Sequence, residues 1–298
     1  QKLVLFAYFL FVAHGRATPT RRMKLRPPAD LGAIPPVSDR NAQSSAGGDA
    51  DMDVHVIATG GTIASTADGD GRGAAPELSG AELLDAAPRV GEYADLTVET
   101  VADRPGFDMS LPVCARVAER IRSVGPTVDG VVVTHGTDTL AETARYLDLT
   151  CESPVVVTGS QRRPDEPGSD GATNLETAVR AAANERVDSG GFVAFDEELH
   201  AAATVRKSHT CALDTFRSPE AGPVARFTRE RVHWHRYPQG ADATFPVPDP
   251  DDHPTVPLVV SASGVGRAAF DDAERRGDGV VVAGTGLGNV TGPLGDAI

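Results

Sequence analysis

Positive charge is scarce in this chain, and lysine is scarcer still. Its 298 residues carry 28 Lys plus Arg against 42 Asp plus Glu, a formal net charge of −14. The acidic residues run along the body rather than forming a tail, which argues against nucleic-acid binding through a basic face. Only Lys2, Lys24 and Lys207 are lysines, so past Met52 a single amine stands among guanidinium groups. Such an acidic, lysine-poor shell is also what solubility in concentrated salt favours, and high-salt adaptation is the expectation. Cysteine is short too: Cys114, Cys151 and Cys211 are an odd set without a Cys-x-x-Cys spacing, each among apolar or helical neighbours. That points away from a disulfide framework and from a structural metal site. The eight histidines are scattered, and the nearest approach to a cluster, His233-Trp234-His235, lacks a matching carboxylate pattern, so no metal is expected. Gly284-Thr285-Gly286-Leu287-Gly288 follows a valine run as a dinucleotide loop would, but the last glycine of G-x-G-x-x-G is replaced by Asn289 and the acidic helix is missing, so no cofactor is expected.

Leu3 to Ala13 is an apolar run of signal-peptide length, too short to span a bilayer, so no membrane partner is expected. The basic stretch Arg21 to Arg26 follows it, with Arg21-Arg22 in the wrong order for a twin-arginine signal. Residues 1–52 are read as a leader, a misassigned start or a linker, with Met52 an alternative start. Unpaired cysteines favour the cytoplasm; secretion follows if residues 1–17 are a signal peptide. From Asp53 apolar runs recur at Val54–Ala58, Gly130–Val133, Pro154–Thr158 and Gly191–Phe195 with helical stretches between, an α/β pattern with a largely parallel sheet. Ser79-Gly80-Ala81-Glu82 is a capping box, Ser110 can cap a helix through Val113, Val117 and Ile121, and Asp138 or Thr139 begins another. The Pro/Asp-rich stretch Tyr237–Pro257 reads as an interdomain linker between a domain at 53–236 and a smaller one at 258–298, built as strand, helix and strand.

Two turns carry the chemistry. Thr59-Gly60-Gly61-Thr62-Ile63-Ala64 and Thr134-His135-Gly136-Thr137-Asp138-Thr139 each follow a buried strand and present a threonine hydroxyl. In a parallel α/β sheet such turns converge at the carboxyl ends of the strands, where ligands bind. Lys207 is either a functional amine, since a lysine shifts its protonation readily where arginine does not, or a surface residue that escaped a drift to arginine.

Ala58–Ser65 (ATGGTIAS) and Val133–Thr143 (VTHGTDTLAET) resemble the two signature motifs of the bacterial-type L-asparaginase family. Pro154–Ala182, Val205–Pro223 and Gly284–Asn289 agree in order and spacing, so the resemblance covers roughly 53 to 298. It implies a larger N-terminal domain with a mostly parallel sheet and a smaller C-terminal α/β domain. It further implies hydrolysis of L-asparagine to aspartate and ammonia, with glutamine a minor substrate, in a homo-oligomer, either dimer or tetramer. By the same resemblance Thr62 is the nucleophile, and Thr137, Asp138 and Lys207 form a second catalytic group. Gly61 and Gly136 bring backbone N–H groups to the substrate, Asp138 holds its α-amino group, and Gly106 and Asp108 lie where its carboxylate binds. Asn289 is either a substrate contact donated to a neighbouring subunit or a turn residue. Arg163, Asp170 and Asn174 are read as structural.

Three departures qualify the likeness. The loop Ser65–Ser79 has no lid tyrosine, Pro105-Gly106 stands where a serine precedes the Asp108-Met109 pair, and the chain stops at Ile298 soon after Asn289, so a truncated C-terminal domain is expected. Two rival readings follow: the amidohydrolase subunit of a tRNA-dependent amidotransferase, and a catalytically silent amino-acid binder.

Overall fold

Valine-rich runs with no polar alternation become the central strands of an eight-stranded sheet, because both of its faces are covered by helices. The computed structural model describes residues 9–13, 52–67, 74–76, 78–249 and 252–298. They divide into a larger unit, 52–249, and a smaller one, 9–13 with 252–298. In chain order, β1 (Phe9–Ala13) belongs to the smaller unit. The larger unit runs through β2 (Asp53–Ala58), β3 (Ser65–Ala67), β4 (Ala74–Pro76), α1 (Gly80–Asp85), β5 (Asp95–Thr100), α2 (Leu111–Val124), β6 (Gly130–Thr134), α3 (Leu140–Thr150), β7 (Val155–Thr158) and α4 (Gly171–Ala182). It continues with β8 (Gly191–Phe195), β9 (Glu198–Ala201), β10 (Arg206–Lys207), β11 (Phe216–Arg217), β12 (Ala225–Phe227) and β13 (Val232–Trp234). β14 (Leu258–Val260), α5 (Arg267–Arg276), β15 (Gly279–Ala283) and α6 (Gly292–Gly295) complete the smaller unit.

The large sheet has the order β13-β12-β9-β8-β7-β6-β2-β5. From β5 to β8 every neighbour is parallel; β9, β12 and β13 extend the sheet antiparallel. Alternate residues part to the two faces: Val54, Val56, Val132 and Val156 pack on Leu175 and Ala178 of α4. Ile57, Val131, Val133 and Val157 pack on Val117 and Ile121 of α2 and Leu140 and Leu147 of α3. The chain passes from β2 to β5 on one side and then to β6 on the other, so the carboxyl ends of β5, β2 and β6 stand side by side around a topological switch.

The four expected strand runs and the Ser79–Glu82 capping box are present. Ser110 and Thr139 occupy the N-cap positions of α2 and α3, but neither hydroxyl makes the capping bond. Thr139 donates instead to the Gly106 carbonyl at 2.7 Å. The antiparallel extension has no counterpart in the sequence reading. Its hairpin turns at Asp196 and Glu197, both at positive φ (50° and 59°), where the usual Asn or Gly signal is missing. Cys114 and Cys151 are buried, but Cys211 is exposed on the loop between β10 and β11, not among apolar or helical neighbours as expected.

The Tyr237–Pro257 stretch is held to the larger unit over its first half. Ala241 N–H donates to Asp148 at 3.0 Å and Phe245 N–H to the Leu149 carbonyl at 2.7 Å, while Val247 packs on the core. Asp148 is buried, and also accepts from Gly191 N–H at 2.8 Å and from Arg145. Asp148→Ala strands the buried Gly191 N–H and the half-buried Ala241 N–H while the partly exposed Arg145 returns to water, and is expected to cost about 2–3 kcal/mol in urea unfolding. A loss below about 1 kcal/mol would show that the segment is not anchored there.

In the smaller unit β14 and β15 pair in parallel, and Val259, Val280 and Val282 pack against Phe270, Ala273 and Leu294. β1 pairs antiparallel with the other edge of β15, Phe9 opposite Ala283. The apolar run expected as a leader core thus contributes a strand, as a short β-prone segment does when an open edge is available. The rest of residues 1–51, Arg21–Arg26 among them, and residues 68–73 and 77 of the expected lid loop lie outside the described residues. No helix among the described residues is long and apolar enough to cross a membrane.

Candidate active site

Three loops leaving the carboxyl ends of β2, β5 and β6 meet backbone to backbone, and glycine makes the approach possible. Gly61 adopts φ 86°, a conformation in which L side chains are strained, and a Cβ there would overlap the backbone nitrogen of Gly136. A Cβ on Gly136 would overlap the nitrogen of Gly106, and one on Gly106 would come within 2.7 Å of the Gly136 carbonyl carbon. The junction is fastened by Thr59, whose buried hydroxyl donates to the Thr134 carbonyl at 2.8 Å.

Thr62 follows Gly61 directly and opens a 3-10 turn over Thr62–Ala64. Ile63 and Ala64 anchor that turn in a small apolar cluster with Leu83 of α1, leaving Thr62 half-buried at the surface of the junction. Thr137 and Asp138 continue from Gly136. Lys207 Nζ donates to Thr137 Oγ1 at 2.9 Å and to Asp138 Oδ1 at 3.0 Å, so the sequence-predicted group converges from positions 69 and 70 residues apart. A β-hairpin delivers the lysine. Lys207 lies opposite Phe216, whose buried ring packs on Phe195 with centroids 4.7 Å apart. Ser208 N–H donates to the Thr215 carbonyl at 2.7 Å and His209 N–H to Thr215 Oγ1 at 3.0 Å, closing the loop. An open cleft of about 810 Å³ runs beside the pair, with Asp138, Glu142, Arg145, Arg206, Lys207 and His209 along it.

Gly106 and Asp108 sit on a 3-10 turn beside Gly136. Asp108 is exposed and paired with Arg104 at 2.9 Å, a partner the sequence reading did not assign. Asp170 and Asn174 brace the site from behind: Asp170 accepts from the backbone N–H of Gln161 (3.0 Å) and Arg162 (2.9 Å), and Asn174 donates to Gly159 O (3.0 Å). Arg163 pairs with Asp165 and Glu166 instead. Asn289 belongs to the smaller unit, exposed in a tight turn that its backbone closes onto Thr285 at 2.7 and 2.8 Å. No group of three or more His, Cys, Asp or Glu able to hold a metal is formed among the described residues.

Two site residues were missed. Gln161, in the loop after β7, accepts the Thr137 hydroxyl at 3.3 Å; the rule that ligand loops follow parallel strands applied to it as well as to the two glycine turns. His135 lies wholly buried beneath Gly136. Its Nδ1–H donates to the Gly136 carbonyl at 2.7 Å, which leaves Nε2 to accept from Thr143 Oγ1 at 2.9 Å. Burial pushes His135 down to about 4, and His200, behind the Lys207 hairpin, likewise to about 4. Unfolded histidines bind their proton near pH 6.5, so from there down to about 4 the unfolded state holds more protons and stability falls as pH falls. Each ring is expected to contribute a slope of up to about 1.4 kcal/mol per pH unit in that window. Urea unfolding between pH 7 and 4.5 measures it; His135→Asn should flatten the slope, and an unchanged slope would place the proton uptake elsewhere.

Comparison with known proteins identifies the family. Residues 53–240 match the family model described as Asparaginase, N-terminal. A probable periplasmic L-asparaginase of Haemophilus influenzae is 35% identical over 246 residues, covering 80% of this chain and 70% of that protein. A glutamyl-tRNA(Gln) amidotransferase subunit of Aeropyrum pernix is 33% identical, covering 89% of this chain and 64% of that one. Among solved structures, a probable cytoplasmic L-asparaginase of Campylobacter jejuni superposes with a TM-score of 0.74 at 30% identity, covering 83% of this chain and 78% of that one.

Proposed function

The chain belongs to the asparaginase family, and from that premise we propose that it hydrolyses the side-chain amide of L-asparagine to L-aspartate and ammonia with Thr62 as nucleophile. The observation that carries the proposal is the single body lysine, Lys207, bonded to both Thr137 and Asp138 beside the Gly61–Gly136 junction that places Thr62. An amide needs a nucleophile, a proton donor for the departing nitrogen and donors for the developing oxyanion. Thr62 Oγ1 attacks the amide carbon and its proton passes to the Thr137–Lys207 pair. The C–N bond breaks as nitrogen takes a proton and leaves as ammonia. Water then cleaves the threonine ester, which restores the Thr62 hydroxyl and releases aspartate. Asp138 keeps the lysine in place and, with one exposed face, receives the substrate ammonium; Gly106 N–H faces its carboxylate from the turn that Asp108 shares. Asn289 serves the site of a neighbouring copy in a homo-oligomer. Three free thiols favour the cytoplasm as its compartment.

Ammonia release from L-asparagine, with L-glutamine beside it and in low and high salt, tests this reading. Lys207→Met is expected to lower kcat by about 100-fold or more while leaving the fold intact, because it removes the proton relay. The Aeropyrum relative favours a second reading, the amidohydrolase subunit of a tRNA-dependent amidotransferase. Release that appears only with an amidotransferase partner and charged tRNA would select it. Stabilisation by aspartate without any release would select a silent binder.

A further inference from the structure

Gln161 occupies a position that no role above requires. Its side-chain Nε2 donates to the Ala212 carbonyl at 3.1 Å and to the Thr210 carbonyl at 3.4 Å, both in the loop after Lys207. Carbonyl oxygens accept only, so the amide orientation is fixed and Oε1 faces Thr137. Thr137 has one proton. An ammonium is a donor only, so the hydroxyl oxygen accepts from Lys207 at 2.9 Å and its proton goes to Gln161 Oε1 at 3.3 Å. The backbone of Gln161 is held by Asp170 at 3.0 Å, so the side chain works from a fixed base.

We propose that Gln161 is a positioning residue that holds the Thr137 proton away from Lys207 in the resting site and ties the Lys207 loop to that hydroxyl. The proposal rests on Thr137 and Lys207 acting as the proton relay described above. While Gln161 holds that proton, the oxygen lone pairs face the Lys207 amine. Asp138 bonds the same amine from the start of α3; Glu142, Arg145, Arg206 and His209 line the cleft beyond, and Asp170 stands behind Gln161. With the amide in place the Thr137 hydroxyl has one orientation and the Lys207 loop one anchor, which aligns the pair for turnover.

Two replacements separate this role from packing. Gln161→Met keeps the length without donor or acceptor; Gln161→Glu keeps the acceptor and loses the donors. In the full chain, Gln161→Met is expected to lower kcat for L-asparagine by about tenfold or more with KM within about threefold. Gln161→Glu should recover part of kcat, because its carboxylate oxygen still accepts the Thr137 proton. A readout independent of turnover exists because the sequence has only three lysines. In protein labelled with 13C-lysine, the Lys207 resonance is identified by its loss in Lys207→Arg. It should move in Gln161→Met while those of Lys2 and Lys24 stay. A kcat that falls equally in Gln161→Met and Gln161→Glu would reduce Gln161 to a packing residue and overturn the proposal, as would an unmoved Lys207 resonance. Were the wild type to release no ammonia, the asparagine reading would fall while the Lys207 resonance still decided the role of Gln161.

Discussion

Thr62→Ala is expected to suppress ammonia release by about 1,000-fold or more, because it removes the hydroxyl proposed to form the acyl bond. The side chain is half-buried, and among the described residues its hydroxyl has no hydrogen-bond partner to lose, so the fold should tolerate the change. A thermal midpoint close to that of the wild type would establish that the loss is chemical. Thr62→Ser retains a hydroxyl and should keep part of the rate. Binding of aspartate should survive in Thr62→Ala, because Asp138, Gly106 and Asp108 remain. A Thr62→Ala protein that still releases ammonia at a rate near wild type would move the nucleophile to Thr137, the other hydroxyl at the junction, and Thr137→Ala would then be the silent variant.

The second large effect is expected from Gly136→Ala. The added Cβ would meet the backbone of Gly106, and backbone cannot swing aside as a flexible side chain can. One loop must retreat, and Thr137, Asp138 and the Thr139–Gly106 bond at 2.7 Å move with it. Overpacking of this kind costs about 1–3 kcal/mol. The kinetic loss should be larger in proportion, about 100-fold in kcat/KM, since a displacement near 1 Å is enough to misplace reacting groups. Gly91→Ala is the matched control: nothing lies within 4 Å of the Cβ it would add. Equal behaviour of the two variants in activity and in urea unfolding would mean that the three-loop junction is looser than its geometry implies.

How much of this was legible beforehand differs from residue to residue, for reasons of range. Val54–Ala58, Gly130–Val133, Pro154–Thr158 and Gly191–Phe195 announce themselves because a strand buried on both faces must be apolar throughout. The helix from Gly80 is marked by its capping box. Edge strand β5 and the antiparallel strands β9, β12 and β13 are half-exposed or turn without glycine, so their short stretches carry no comparable signal. Lys207 stood out for a compositional reason, its isolation among arginines, and the family resemblance grouped it with Thr137 and Asp138; the bonds themselves came only with the hairpin that Phe216 anchors. Gln161 and His135 stayed hidden because a glutamine and a histidine in a motif carry no role until their partners are known.

By itself the sequence determined the α/β class and the family and singled out the candidate groups, since burial patterns and the two glycine-threonine turns are local features that need no partner. The tertiary structure decided what the groups do to one another: that Gly61, Gly106 and Gly136 share one contact, that Lys207 bonds both Thr137 and Asp138, and that the Thr137 proton points to Gln161. Those facts join residues tens of positions apart, and hydrogen-bond direction is fixed only when every donor and acceptor around an atom has been placed.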